Sequence, residues 1–219
     1  MTGLREKQKA DRERRILKAA VVKFRADGYR AVRIDDLAEA AEVSVGTVYN
    51  YFQTKGDILI AIVAMEVKEV LSSGAAVVSD PPAGVKDPIL ALVFTYYDHS
   101  LNYLSKEMWR SAMALSIEAP NTPNGRRYTE LDRRLSAQTG DLIAALQTRG
   151  DICGHMDASA IGHMVFNDLN QQFIEFIKDD GMLLDDLRNQ VAEQMTPLFE
   201  LLSSSSKRSP EQNALDTKD

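Results

Sequence analysis

Residues 33–59 read RIDDLAEAAEVSVGTVYNYFQTKGDIL. The pattern predicts two short helices joined by a tight turn, a helix-turn-helix. The first covers about 34–41, with Leu37 and Ala38 inward and the small Ala40 and Ala41 leaving room for a close neighbour. Ser44 is placed to cap a second helix over about 45–51, because its hydroxyl can accept an orphan amide of the first turn. Val43 and Val48 fill the space between the two helices. The outward side of the second helix offers Thr47, Tyr49, Asn50 and Tyr51 with almost no charge, where a merely solvated helix would carry Glu and Lys. Gly46 has no side chain to hold a partner's backbone away. Thr54 then caps a long helix from Lys55 to about Ser72, whose stripe of Ile58, Leu59, Ile62, Met65, Glu66 and Val70 is apolar at all but one position.

Outward from this stretch the chain reads as all-α. Prolines stand only at 81, 82, 88, 120, 123, 197 and 210, and no alternating run with hairpin turns suggests strands. Further helices are expected at about 11–26 (with Gly28 past its end), 89–105, 106–119, 126–148, 158–178 and 182–202, making nine in all. Pro197 is expected to kink or shorten the last. Residues 74–88, GAAVVSDPPAGVKDP, read as a loop, and 149–157 as a turn. From Ser203 the chain has four serines in a row and one large aliphatic residue, Leu215, too little apolar surface to order itself.

The segment VSVGTVYNYFQTKGDIL fits V-S-x-G-T-x-Y-x-Y/H-F-x-x-K through Lys55, and FRADGY upstream fits F-x-x-x-G-Y/F. On these motifs, residues 12–65 resemble the TetR/AcrR family of bacterial transcriptional regulators. The resemblance implies an amino-terminal three-helix DNA-binding domain at 1–54, with 1–10 as a flexible arm. It implies a helical ligand-binding and dimerisation domain at 55–203, which leaves 204–219 as a disordered tail. It also implies a dimer that places its third helices in successive major grooves of a near-palindromic operator. Carried over by motif, Val45, Gly46, Thr47, Tyr49, Asn50, Tyr51 and Lys55 are the contacting positions, with Ser44 at the cap and Arg33 within reach of a phosphate or base. Thr47, Tyr49, Tyr51 and Lys55 suit phosphates, and the amides at the start of the fourth helix suit them too. Val45 and Asn50 suit a thymine methyl and a bidentate base contact. Arg5, Lys7 and Lys9 read either as a DNA-binding arm or as a solvated terminus. One departure stands in the turn, where the family's usual glycine is Glu42; a left-handed backbone there costs on the order of 1 kcal/mol.

Composition bears on partners. The formal net charge is −6, which by itself argues against nucleic acid. Residues 1–60 carry 12 Lys/Arg and 9 Asp/Glu, however, so the positive end coincides with the helix-turn-helix and the acidic excess belongs to the remainder. The single cysteine, Cys153, excludes an intrachain disulfide. No apolar stretch reaches the length of a membrane span, and the first residues, MTGLREK, lack the apolar run of a secretory leader. A cytoplasmic, nucleoid-associated protein is expected.

No phosphate loop or nucleophile motif is present, so no catalytic residue, cofactor or metal site is expected and the chain does not read as an enzyme. Cys153-Gly154-His155 is half a metal site without a second pair. The expected partners are a double-stranded DNA operator, a small-molecule inducer of unknown identity and a second copy of the chain. Tyr96, His99, Tyr103, Trp109, Met113, Ser116 and Tyr128 are the candidate pocket residues, each with core packing as the alternative. Ala158, Ile161, Gly162, Val165, Leu169, Phe173, Leu187, Val191 and Leu198 are the candidate dimer interface, because the last helices are apolar over wide arcs. Besides an inducible repressor, two readings stay open: a same-fold DNA-binding protein without inducer, in an architectural or cell-division role, and an activator.

Overall fold

A computed structural model describes residues 2–206. Among those residues it has no strand and ten helices. They are α1 (Thr2–Asp27), α2 (Ile34–Ala40), α3 (Val45–Tyr49), α4 (Lys55–Ser79) and α5 (Lys86–His99), then α6 (Lys106–Glu118), α7 (Pro123–Arg149), α8 (Ala158–Lys178), α9 (Leu184–Gln194) and α10 (Thr196–Ser206). Where caps are strong, the expected bounds hold. Ser44 accepts the Thr47 amide at the start of α3, and Asp157 accepts those of Ser159 and Ala160 at the start of α8.

Elsewhere the bounds move for local reasons. α1 begins at Thr2, so the stretch expected as a flexible arm is helical from there. The expected loop at 74–88 shrinks, because α4 continues through Gly74 to Ser79 and α5 starts at Lys86. Pro88 lies in the first turn of α5, where its missing amide interrupts no helical bond. The Arg149 guanidinium organises what remains of the loop, donating to the carbonyls of Pro81 at 2.5 Å, Pro82 at 2.6 Å and Gly84 at 3.1 Å. The last expected helix is two, α9 and α10, since Pro197 brings no amide to continue the ladder. α10 reaches Ser206, three residues into the tail expected to be disordered. Met1 and 207–219 lie outside the described residues.

Packing divides the chain into two compact units. One comprises residues up to Lys68 with Ser100–Leu131; the other comprises Glu69–His99 with the chain from Asp132. In the first, Ile16, Ala20 and Phe24 of α1, Leu37 of α2, Val48 of α3 and Ile58 and Leu59 of α4 are fully buried. These positions convert the helical stripes of the sequence into one core.

In the second unit Tyr97 and Phe173 stack with centroids 6.1 Å apart, and the Tyr97 hydroxyl donates to the Leu169 carbonyl at 2.8 Å. α7 and α8 cross at Gly140 and Gly162. A Cβ on Gly162 would lie 2.4 Å from Gly140 N and 2.5 Å from its Cα. Gly162 thus lets α8 approach α7 closely within the protomer. Most of the candidate interface is likewise packed within the protomer. Leu187, Val191, Val165, Leu169, Phe173 and Ile161 are between 0% and 8% exposed in the single chain, so they form its own core. Ala158 and Leu198 are half-buried. The large apolar side chains that point outward from α8 and α10 are Met164, 62% exposed, and Leu201, 65% exposed. The apolar arcs of these helices are buried within the single chain.

Candidate nucleic-acid interface

The interface is built on α2, the turn at 41–44 and α3. α2 starts after Arg33, whose backbone amide donates to Asp36 Oδ2 at 2.7 Å. The exposed Arg33 guanidinium lies 3.5 Å from Asp35. At the far end of α2 the Val43 amide reaches back to the Ala38 carbonyl and the Glu42 amide to that of Glu39, each at 3.0 Å. This bond pair is a Schellman stop, which needs a left-handed residue at Glu42. Its φ is 54°, the strained value the sequence led one to expect.

The candidate residues of α3 differ in exposure. Tyr49 is 51% exposed, Asn50 is exposed, and Val45, Thr47 and Tyr51 are half-buried. A Cβ on Gly46 would meet only Ser44 Oγ, at 3.9 Å, so this face is open. Ser44 Oγ also lies 2.8 Å from Thr47 Oγ1, which fixes the Thr47 rotamer before any partner arrives. Phe52 is buried, as core packing requires.

Lys55 departs from the expected role. Its ammonium donates to three backbone carbonyls, those of Tyr29 at 2.8 Å, Val32 at 2.9 Å and Arg30 at 3.0 Å, and lies 4.8 Å from the Tyr29 ring centre. An ammonium has three donors, and all are used. Burial draws the Lys55 pKa below the usual lysine value, with Glu107 pulling it partly back. In the free chain Lys55 locks the turn between α1 and α2. The amino-terminus of α4 is also occupied. Asp57 accepts the Thr54 amide at 2.8 Å and the Asn124 side-chain amide at 2.7 Å, while the Asp57 amide donates to Thr54 Oγ1 at 3.1 Å. A carboxylate already fills the place proposed for a phosphate.

The same turn is held from its other side by residues the sequence reading missed. Glu107, in the first turn of α6, accepts the amides of Tyr29 and Arg30, each at 3.3 Å. Arg25 donates to the carbonyls of Leu101, at 2.8 Å, and Asn102. Carbonyls held by Lys55 and amides held by Glu107 leave this turn little freedom, which preorganises the approach to α2. Nothing local in the sequence pairs residues 29 and 107.

Residues 16–62 match the model described as bacterial regulatory proteins, tetR family. Its amino-terminal helix-turn-helix segment is therefore similar to that of TetR-family transcriptional regulators. A stretch of 64 residues is 39% identical to the HTH-type transcriptional repressor KstR of Rhodococcus jostii (strain RHA1), covering 29% of this chain and 30% of that one, so less than a third of that relative's length is matched. The fatty acid metabolism regulator protein of Bacillus subtilis (strain 168) is 23% identical over 180 residues, 80% of this chain and 88% of that protein. Among solved structures, the transcriptional regulator FadR from Bacillus subtilis in complex with stearoyl-CoA has the same fold, with a TM-score of 0.62 and 20% identity over 87% of this chain and 97% of that one.

Set against the TetR-family pattern, Glu42 is the costly position. Glu42→Gly is expected to raise stability by about 1 kcal/mol, read as a higher thermal midpoint, because glycine takes the left-handed backbone without strain. A lower midpoint would contradict the strain reading.

The candidate pocket residues belong to both units, each with a role in its own. In the second unit Tyr96 is buried and its hydroxyl lies 2.8 Å from Gln138 Oε1 and 3.3 Å from the Leu135 carbonyl, while the Gln138 amide donates to the Leu71 carbonyl at 2.8 Å. Tyr96 takes the core packing that stood as its alternative. Burial raises its pKa further above the ordinary tyrosine value, with Asp141 adding to the effect. His99 Nε2 is 3.4 Å from Ser73 Oγ. In the first unit the Trp109 indole donates to the Ser100 carbonyl at 2.6 Å, Ser116 donates to the Met113 carbonyl at 2.8 Å, Tyr128 is buried and Tyr103 is half-buried. Cys153 Sγ lies 2.6 Å from His155 Nδ1, and no group of three or more potential ligands for a metal occurs among the described residues. No helix among them is long and apolar enough to cross a membrane.

Proposed function

We propose that this regulator is a homodimeric repressor in which α3 of each protomer reads one half of a near-palindromic operator and a small-molecule inducer releases it. The observation that carries the reading is the α3 face: exposed hydroxyls and an amide, almost no charge, an open backbone at Gly46, and a cap and a neighbouring turn that hold it rigid. Thr47, Tyr49 and Tyr51 hold phosphates, and Val45 and Asn50 contact base edges. Lys55 acts behind them. The exposed apolar side chains Met164 and Leu201 mark the dimer face on α8 and α10. The similar fold of a regulator solved in complex with stearoyl-CoA supports a small-molecule ligand for this chain too. α4 contributes residues to both units, and a ligand that favours one arrangement of that helix shifts the population away from the operator-binding state.

Selection of duplexes from a random pool by the purified chain tests the reading. An inverted repeat with half-sites about one helical turn apart is expected. Asn50→Ala should then lose about 1–3 kcal/mol of discrimination at one position of each half-site, with little effect at the others. Failure to enrich any sequence would overturn the operator reading.

A further inference from the structure

A reader of DNA needs cations, and α3 has none. From Ser44 to Thr54 there is no Lys or Arg, and the Lys55 ammonium is consumed by three carbonyls. The counterion release that dominates duplex affinity must come from another element. The first unit offers one. A groove of about 450 Å³ is lined on one side by Thr47, Asn50 and Tyr51 of the α3 region and on the other by Gln8, Lys9 and Arg12 of α1. Because α1 is helical from Thr2, Lys9 and Arg12 stand three residues apart and so share a face of it.

We propose that Lys9 and Arg12 hold backbone phosphates of the same duplex whose bases α3 reads, so that α1 supplies the charge and α3 the discrimination. The proposal rests on the reading of α3 given above. Both side chains are exposed, and neither makes an ion pair among the described residues. Arg14, two residues beyond Arg12, is instead tied to Asp11 at 2.6 Å. That arrangement holds the Asp11 carboxyl below its ordinary value, with Arg14 as the first cause. Gln8 adds an amide donor that suits a phosphate oxygen. A polyanion laid against the hydroxyl and amide side of the groove meets these two cations on the opposite wall.

The test compares the salt dependence of duplex binding for the intact chain, for Lys9→Ala with Arg12→Ala, and for the charge-keeping pair Lys9→Arg with Arg12→Lys. A duplex enriched from the random pool is the probe. The double alanine variant is expected to show a log–log salt slope shallower by about two per protomer, with the rank order of base-substituted duplexes preserved. The charge-keeping pair is expected to restore most of the slope. The thermal midpoint should be unchanged, since neither side chain has a partner to lose. A double alanine variant with the slope of the intact chain overturns the proposal, whatever its affinity. If the intact chain itself binds no duplex at low salt, the reading of α3 falls and this proposal falls with it.

Discussion

Gly162→Ala is expected to destabilise the second unit by about 3 kcal/mol and to broaden or split its thermal transition. The cause is backbone on backbone. A methyl at this position would lie 2.4 Å from Gly140 N, 2.5 Å from Gly140 Cα and 2.9 Å from Thr139 C, and none of these atoms belongs to a flexible side chain that can swing away. α7 and α8 would have to separate. That in turn strains the buried Thr139 hydroxyl, which sits 2.8 Å from the Gly162 carbonyl and 2.6 Å from that of Ser136. Helix propensity works the other way, by about 1 kcal/mol in favour of alanine, and is too small to offset the clash. The reciprocal change makes the argument sharp. At Gly140 an added Cβ would meet Ser159 Cα at 3.5 Å and the Ala158 carbonyl at 3.8 Å, which is ordinary contact. Gly140→Ala should therefore be neutral or slightly stabilising. Equal losses from the two substitutions would show that the crossing is not as close as described.

Lys55→Ala is expected to cost about 2 kcal/mol of stability, because it removes a charged donor shared among three carbonyls and leaves those carbonyls to find water. DNA affinity should fall for every duplex, since the turn that leads into α2 is loosened, but the salt slope should stay where it was. A phosphate contact would give the opposite pair of results: an unchanged midpoint and a slope shallower by about one. Lys55→Arg should rescue poorly. Three convergent carbonyls match the three donors of an ammonium, whereas a guanidinium is a planar fork. Thermal denaturation and a salt titration on the same samples separate the two roles.

The helix-turn-helix was legible because its signals are local. Ser44 caps α3, Thr54 caps α4, and the small Ala40 and Ala41 precede a turn whose odd residue, Glu42, takes the left-handed conformation its position demands. α8 was legible for the same reason, with Asp157 at its start. What escaped the sequence reading depends on distant partners. Lys55 looks like an exposed cation until the carbonyls of residues 29–32 are brought to it. Glu107 looks like an ordinary first-turn acid until it meets the amides of Tyr29 and Arg30. The apolar positions of α8 and α9 signal burial with equal strength whether the cover is another helix of the chain or a second copy. Only the folded unit shows that Val165, Leu187 and Val191 are spent internally.

The central claim is that the face of α3 binds a particular duplex, with the charge supplied around it. Titrating the purified chain with a fluorescent duplex enriched from the random pool, at a series of salt concentrations and against a scrambled competitor, tests this most directly. The account predicts an affinity that falls linearly in log–log form with salt and a preference of roughly 10³-fold or more for the enriched duplex. Binding that is absent at low salt, or equal for the enriched and scrambled duplexes at every salt concentration, would contradict it.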